Sequence, residues 1–343
     1  MYSSTQVMKK EKKELLIFLA VAYGIPFLMT IPMAILFHAG KDVASFPAAQ
    51  MFYPAAGLML AKLICEKENP FLPKNFFIGF LVLAGLMLLW CFTSFFLHEN
   101  IKSYGDTYLP ILGTVVVGLL YFSEKKEKRS AYGLTGKNWG ISVRILILFV
   151  VLVYGTGLLS TFFIEGLPGM GDFLSQVINR DEFLLFVSAP FGIILNMGFF
   201  LGEEYGWRTY FQPLLQKKFG LIKGVLLFGI LWEFWHLPLV LFYYSPADPS
   251  RSLAQLIVFR YIINILMAIF MAYAYMKTQN VWLPVLIHAV NNGLVGGGTG
   301  SETFTWMILG LIVLSRMVLF LPFLLAKEFR KPNREETAKN GAQ

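Results

Sequence analysis

The chain has 343 residues, of which 56% are hydrophobic and only 15% charged, with a formal net charge of +8. Soluble domains carry about 25% charged residues, so an ordinary water-soluble core is excluded. The basic excess calls for no nucleic-acid partner, because most lysines and arginines flank apolar runs, where they meet anionic lipid head groups.

Roughly 20 apolar residues cross the hydrocarbon core of a bilayer at about 1.5 Å rise each. By that measure the sequence predicts an all-α, polytopic transmembrane bundle of about ten spans. A polar tail, 1–14, leads into a first span at 15–37, preceded by Lys9, Lys10, Lys12 and Lys13. This run is too long for a signal-peptide core and lacks a small-residue cleavage site, so a retained anchor is expected. Further spans are expected at 46–65, 76–97, 109–122, 143–164, 183–208, 224–244, 253–276, 281–296 and 304–325. The membrane domain is thus 15–325, and a second polar tail, 326–343, closes the chain. Cys65 and Cys91 fall at different expected depths, which argues against a disulfide.

Lysine and arginine set the expected orientation. Basic residues recur in every second loop: Lys67 and Lys74, then Lys125, Lys126, Lys128, Arg129 and Lys137, then Lys217, Lys218 and Lys223, then Lys277. The C-terminal tail adds Lys327, Arg330, Lys331, Arg334 and Lys339. Both termini are therefore expected in the cytoplasm, in a multi-pass protein of the cell membrane.

Three polar motifs interrupt the apolar runs. The first is Glu203-Glu204-Tyr205-Gly206-Trp207-Arg208, with Glu204 and Arg208 on one helix face. The second is Trp232-Glu233-Phe234-Trp235-His236, and the third is His288-Ala289-Val290-Asn291-Asn292. Intramembrane acids are costly and mark functional sites by default. Counted from the cytoplasmic lysines at 1.5 Å per residue, Glu203, His236 and His288 lie at roughly 21, 20 and 17 Å if helical throughout. Pro213 would bring Glu203 nearer the cytoplasm if it ended the helix early. A glutamate beside a histidine is a general base for water, and a histidine with an asparagine amide supplies donors for an oxyanion. The same Glu203, His236 and His288 also suit zinc, and spacing leaves both open.

In order and spacing these motifs resemble those of the CAAX-protease and bacteriocin-processing family of intramembrane proteases, over about 183–296. The resemblance implies a peptidase in which Glu203 activates water with His236, His288 and Asn292 form the oxyanion site, and Glu204 and Arg208 support and orient. It implies a membrane-associated peptide or protein substrate. No cofactor is expected to be required, because Asn292 one turn from His288 suits an oxyanion better than zinc and no His-Glu-x-x-His spacing occurs, with zinc as the alternative. Trp232 stands where the family often has phenylalanine, and a packing role is expected for it.

Other classes compete. A proton-coupled transporter would use Glu203, Glu204 and Arg208 as a relay, but the internal repeats common in transporters are not evident. A non-catalytic scaffold or immunity protein would tolerate a missing motif residue, and none is missing. Arg260 and Asn264, four apart in an apolar span, are expected to be structural, with Arg260 pairing with an acid. Glu233 receives no role from the sequence. Gly296-Gly297-Gly298 reads as a helix breaker.

The alternating basic loops make one direct prediction. Single cysteines placed in the 123–142 loop are expected to resist membrane-impermeant thiol reagents in intact cells and to label after permeabilisation. Labelling from outside would overturn the orientation.

Overall fold

The computed structural model describes residues 4–179, 192, 194–295 and 304–330. Helices dominate, and there is no strand among the described residues. Among the described residues, eight helical segments are long and apolar enough to cross a membrane: Gln6–His38, Ser45–Cys65, Lys74–Phe95, Asn100–Ser123, Trp139–Val177, Leu221–Ala247, Leu253–Thr278 and Trp306–Leu325. They coincide with eight of the ten expected spans. The ninth expected span forms the helix Trp282–Val295, whose 14 described residues are fewer than a crossing needs. The sixth begins among residues outside the described set, as do Gly296-Gly297-Gly298 and most of the C-terminal tail. The fourth is longer than expected, because the polar residues from Asn100 onward are helical too.

The chain divides into two compact units. The first comprises Met1–Gly136, Phe191–Thr209 and Trp235–Asp248. Its core is aromatic and sulfur-rich, with Phe18, Phe52, Phe76, Phe77, Phe80, Met59 and Met87 all withdrawn from solvent. The helix Met197–Gly206 enters this core through a glycine face. Gly198, Gly202 and Gly206 recur every four residues and so line up along one side. A Cβ at Gly202 would stand 2.7 Å from the Met51 carbonyl oxygen, and one at Gly206 would stand 2.2 Å from that of Pro54. Small residues at this spacing let helix backbones meet at a distance that larger side chains forbid.

Charged groups of the first unit gather where Lys62 binds both Glu14 and Glu66 at 2.9 Å. Lys10 reaches Glu66 at 3.1 Å, and the Tyr132 hydroxyl donates to the same carboxylate at 2.6 Å. Burial opposes the charge on Glu66, but hydrogen bonds from Tyr132 and Lys62 outweigh it and hold the carboxyl down to about 2. Tyr132 also accepts, at its carbonyl, a 2.9 Å hydrogen bond from the Tyr205 hydroxyl. The loop near 132 is thereby tied to the glycine-faced helix.

Among the described residues, three wide turns punctuate the helices, at Ala20–Gly24, Trp207–Phe211 and Val240–Tyr244. Each precedes a proline: Pro26, Pro213 and Pro246. In each case the residue four before the proline, Ala22, Thr209 or Phe242, is the middle of the wide turn. Proline has no N–H for that carbonyl, and its ring clashes with it. Widening the turn relieves the clash without breaking the helix. Pro32 and Pro110 lie inside helix without such a turn, so proline alone does not demand one. Pro213 accordingly does not end the sixth run early: the helix Gln212–Phe219 continues past it and stops at Gly220, whose φ is 86°.

The second unit comprises Lys137–Pro190, Tyr210–Phe234 and Pro249–Gln343. The helix Trp139–Val177 is interrupted at Gly166, with φ 73° and ψ −158°, just past the expected end of the fifth span at 164. Phe270 is the centre of its core, with ring centroids 5.4 Å from Phe149, 5.6 Å from Phe320 and 4.8 Å from Phe323. Gly229 brings its helix close to Leu253–Thr278, since a Cβ there would lie 2.8 Å from the Ile265 Cα. Asn138 and Asn280 donate hydrogen bonds to the Thr278 carbonyl and the Ser142 hydroxyl. The Leu253 helix starts from a capping box, in which Ser252 and Gln255 satisfy each other's backbone donors.

The glycine face yields a prediction. Gly206→Ala is expected to destabilise the protein by at least the ~1–3 kcal/mol typical of overpacking, because its methyl meets backbone, not a movable side chain. Gly220→Ala, where nothing lies within 4 Å, tests strain without a clash and is expected to cost less. Melting temperatures of the two variants in detergent give the comparison.

Candidate active site

Glu203, Glu204 and Arg208 are held by the Met197–Gly206 helix and the wide turn that follows it. All three are buried. Arg208 Nε donates to Glu204 Oε2 at 2.6 Å, so the pair four residues apart is formed as the spacing predicts. An ion pair kept from water is stable only when each charge has its partner, and losing one partner strands the other.

His236 belongs to the same unit, and two tryptophans fix it there. Trp235 stands edge-on to Trp207, centroids 5.5 Å apart at 88°, and His236 packs against Trp235 at 4.8 Å. Trp207 also meets Phe18 and Tyr23 edge-on. The Trp235 indole Nε1 donates to the Ala22 carbonyl at 2.7 Å, and Gln50 donates to the Trp235 carbonyl at 2.8 Å. Ala22 is the residue whose carbonyl loses its ordinary helical donor to Pro26. The indole therefore satisfies an acceptor that proline exposed, and in doing so anchors the histidine beside it. The sequence reading missed Trp235, Gln50 and Ala22. Pro26 in the first span was the available signal for an unsatisfied carbonyl.

His288 and Asn292 lie on the helix Trp282–Val295 in the second unit. His288 is buried and meets the edge of Trp232 at 6.0 Å and 81°. Trp232 in turn stacks on Phe228, centroids 5.9 Å apart, so the large flat residue of the second motif serves packing as expected. Asn292 is exposed, and its Oδ1 accepts from the Asn291 amide at 3.4 Å.

Glu233, which the sequence left without a role, also resides in the second unit. Its carboxylate takes Arg260 Nε at 2.7 Å and Nη2 at 3.3 Å, and the Asn264 amide as well. The acid expected for Arg260 is thus Glu233, one residue from Trp232. This cluster joins the helix Leu221–Leu239 to the helix Leu253–Thr278 and accounts for three polar residues without catalysis.

Chemically, the first unit supplies a carboxylate and an imidazole, the elements of general-base activation of water. The second supplies an imidazole and an amide, which are donors for developing negative charge.

Residues 184–294 match the family model described as type II CAAX prenyl endopeptidase Rce1-like. Among curated proteins, CAAX prenyl protease 2 of Methanococcus maripaludis is 31% identical over 99 residues, covering 29% of this chain and 31% of the relative. The chain therefore matches about a third of that relative's length. No solved structure matches.

The Glu233 cluster is predicted to carry stability, not turnover. Arg260→Leu alone is expected to cost on the order of 3 kcal/mol, because it strands a buried carboxylate, and Glu233→Leu with Arg260→Leu is expected to recover much of it. Unfolding in detergent measures both. A single variant as stable as the parent would show that the pair contributes nothing.

Proposed function

We propose, from the match of residues 184–294 to the type II CAAX prenyl endopeptidase Rce1-like family model and the likeness to CAAX prenyl protease 2, that the chain is an intramembrane endopeptidase working by water activation. The observation that carries the reading is that Glu203 and His236 are both buried and belong to one compact unit, in which Arg208 pairs with Glu204. In this mechanism Glu203, with His236, takes a proton from water as the water oxygen attacks the scissile carbonyl carbon. His288 and Asn292 donate hydrogen bonds to the oxyanion. The proton then passes to the leaving nitrogen as the C–N bond breaks.

The substrate class follows from the relative's name: a prenylated protein or peptide held at the membrane. Both termini on the cytoplasmic side of the plasma membrane would put the chain where such substrates are. Metal-free chemistry is preferred on the nature of the donors. An asparagine amide one turn from His288 is a poor zinc ligand but a good oxyanion donor. Zinc held by Glu203, His236 and His288 is the competing arrangement.

Glu203→Gln is expected to lower turnover of a prenylated peptide by roughly 10²–10⁴-fold, the usual contribution of a general base, with the melting temperature kept or raised. Full activity in this variant would remove Glu203 as the base. Metal analysis of the purified active protein separates the two arrangements. About one zinc per chain, with activity lost on stripping and restored by zinc, would make His288 a ligand instead of an oxyanion donor.

A further inference from the structure

Arg316 sits in the last apolar helix, Trp306–Phe320, and is only 7% exposed. The described residues hold two other cations buried to this degree, and both have a carboxylate: Lys102 pairs with Asp106 at 2.9 Å, and Arg208 pairs with Glu204. Among the described residues, no carboxylate pairs with Arg316. Its guanidinium lies over the Phe320 ring, 4.9 Å from the centroid, and Nη2 donates to Asn291 Oδ1 at 3.4 Å. Its Nε is buried with no hydrogen-bond partner among the described residues.

Arginine cannot shed its charge in a protein. A buried guanidinium without an anion is therefore an unfavourable arrangement that a ligand can correct. Its planar fork suits a carboxylate bound through two N–H groups. The location of this fork is informative. Asn291, which receives the Arg316 bond, donates in turn to Asn292, and it lies three residues after His288. The guanidinium is thus connected, through one amide, to the helix turn that carries the candidate oxyanion donors.

We infer that Arg316 is a carboxylate-binding residue, positioned with Asn291, that holds the C-terminal carboxylate of a peptide substrate. The inference rests on the peptidase reading for the owner of that carboxylate. A carboxylate anchored within about one helical turn of the oxyanion donors places the scissile bond only a few residues from the substrate's end.

The test uses full-length protein in lipid nanodiscs and a fluorescent peptide with an S-farnesyl cysteine three residues before its end. The peptide is made both as the free acid and as the C-terminal amide. In the Glu203→Gln background the acid is expected to bind at least tenfold more tightly than the amide. Adding Arg316→Gln is expected to abolish that preference while leaving amide affinity unchanged, which doubles as the folding control. Arg316→Lys keeps the charge without the fork and is expected to fall between. Equal binding of acid and amide, or a preference that survives Arg316→Gln, overturns the inference. Loss of amide binding along with acid binding also overturns it, since Arg316 would then be holding the fold.

Turnover separates this inference from the reading it rests on. Cleavage of acid and amide at equal kcat/KM by the unmutated protein would sink the carboxylate site and leave the peptidase standing. Arg316-dependent acid binding without any cleavage would do the reverse. Binding of neither peptide would remove the assigned owner of the carboxylate.

Discussion

A charge withdrawn from water must be answered by an opposite charge or a donor, and in a chain this apolar such partners are few. That constraint runs through the structure. Glu204 is answered by Arg208 on its own helix, and Glu233 by Arg260 and Asn264 on another. Lys62 gathers Glu14 and Glu66 from different segments. Each pair decides which faces of which helices must meet, because an error in pairing strands a charge, at a cost that exceeds the worth of the pair itself. Apolar faces in lipid are interchangeable by comparison, since neighbouring acyl chains are as apolar as leucine.

Backbone contacts do the rest of the positioning. The glycine face of Met197–Gly206 lets the acidic motif approach the Met51–Pro54 backbone, and the wide turn at 207–211 carries the helix past Pro213 without a break. The proline that opens a carbonyl at Ala22 creates the acceptor that Trp235 uses, and Trp235 holds the segment bearing His236. Local departures from ideal helix are here the points of attachment between segments. They are tolerated in apolar surroundings because another group satisfies the freed carbonyl.

Helix geometry sets the pairing inside the acidic motif, where Glu204 meets Arg208 because residues four apart share a face. In the second motif, adjacent residues take different tasks. Glu233 is consumed by structure, whereas Trp232 beside it packs against His288.

By itself the sequence determined the class of fold, most of the spans and the residues of the three motifs. It could do so because membrane insertion acts on local composition, and because an i, i+4 pair such as Glu204–Arg208 is set by helix geometry alone. It also anticipated that Arg260 needed an acid. It did not name Glu233, because that pairing joins residues 27 apart on different helices. The roles of Trp235, Gln50 and Ala22 were likewise out of reach, since they depend on contacts between residues as many as 213 apart. Arg316 was visible as a charge in an apolar run, yet its lack of a carboxylate partner among the described residues emerged only from packing. Periodicity is a property of neighbours along the chain, whereas satisfaction of a buried polar group is a property of neighbours in space, and only the tertiary structure decides the latter.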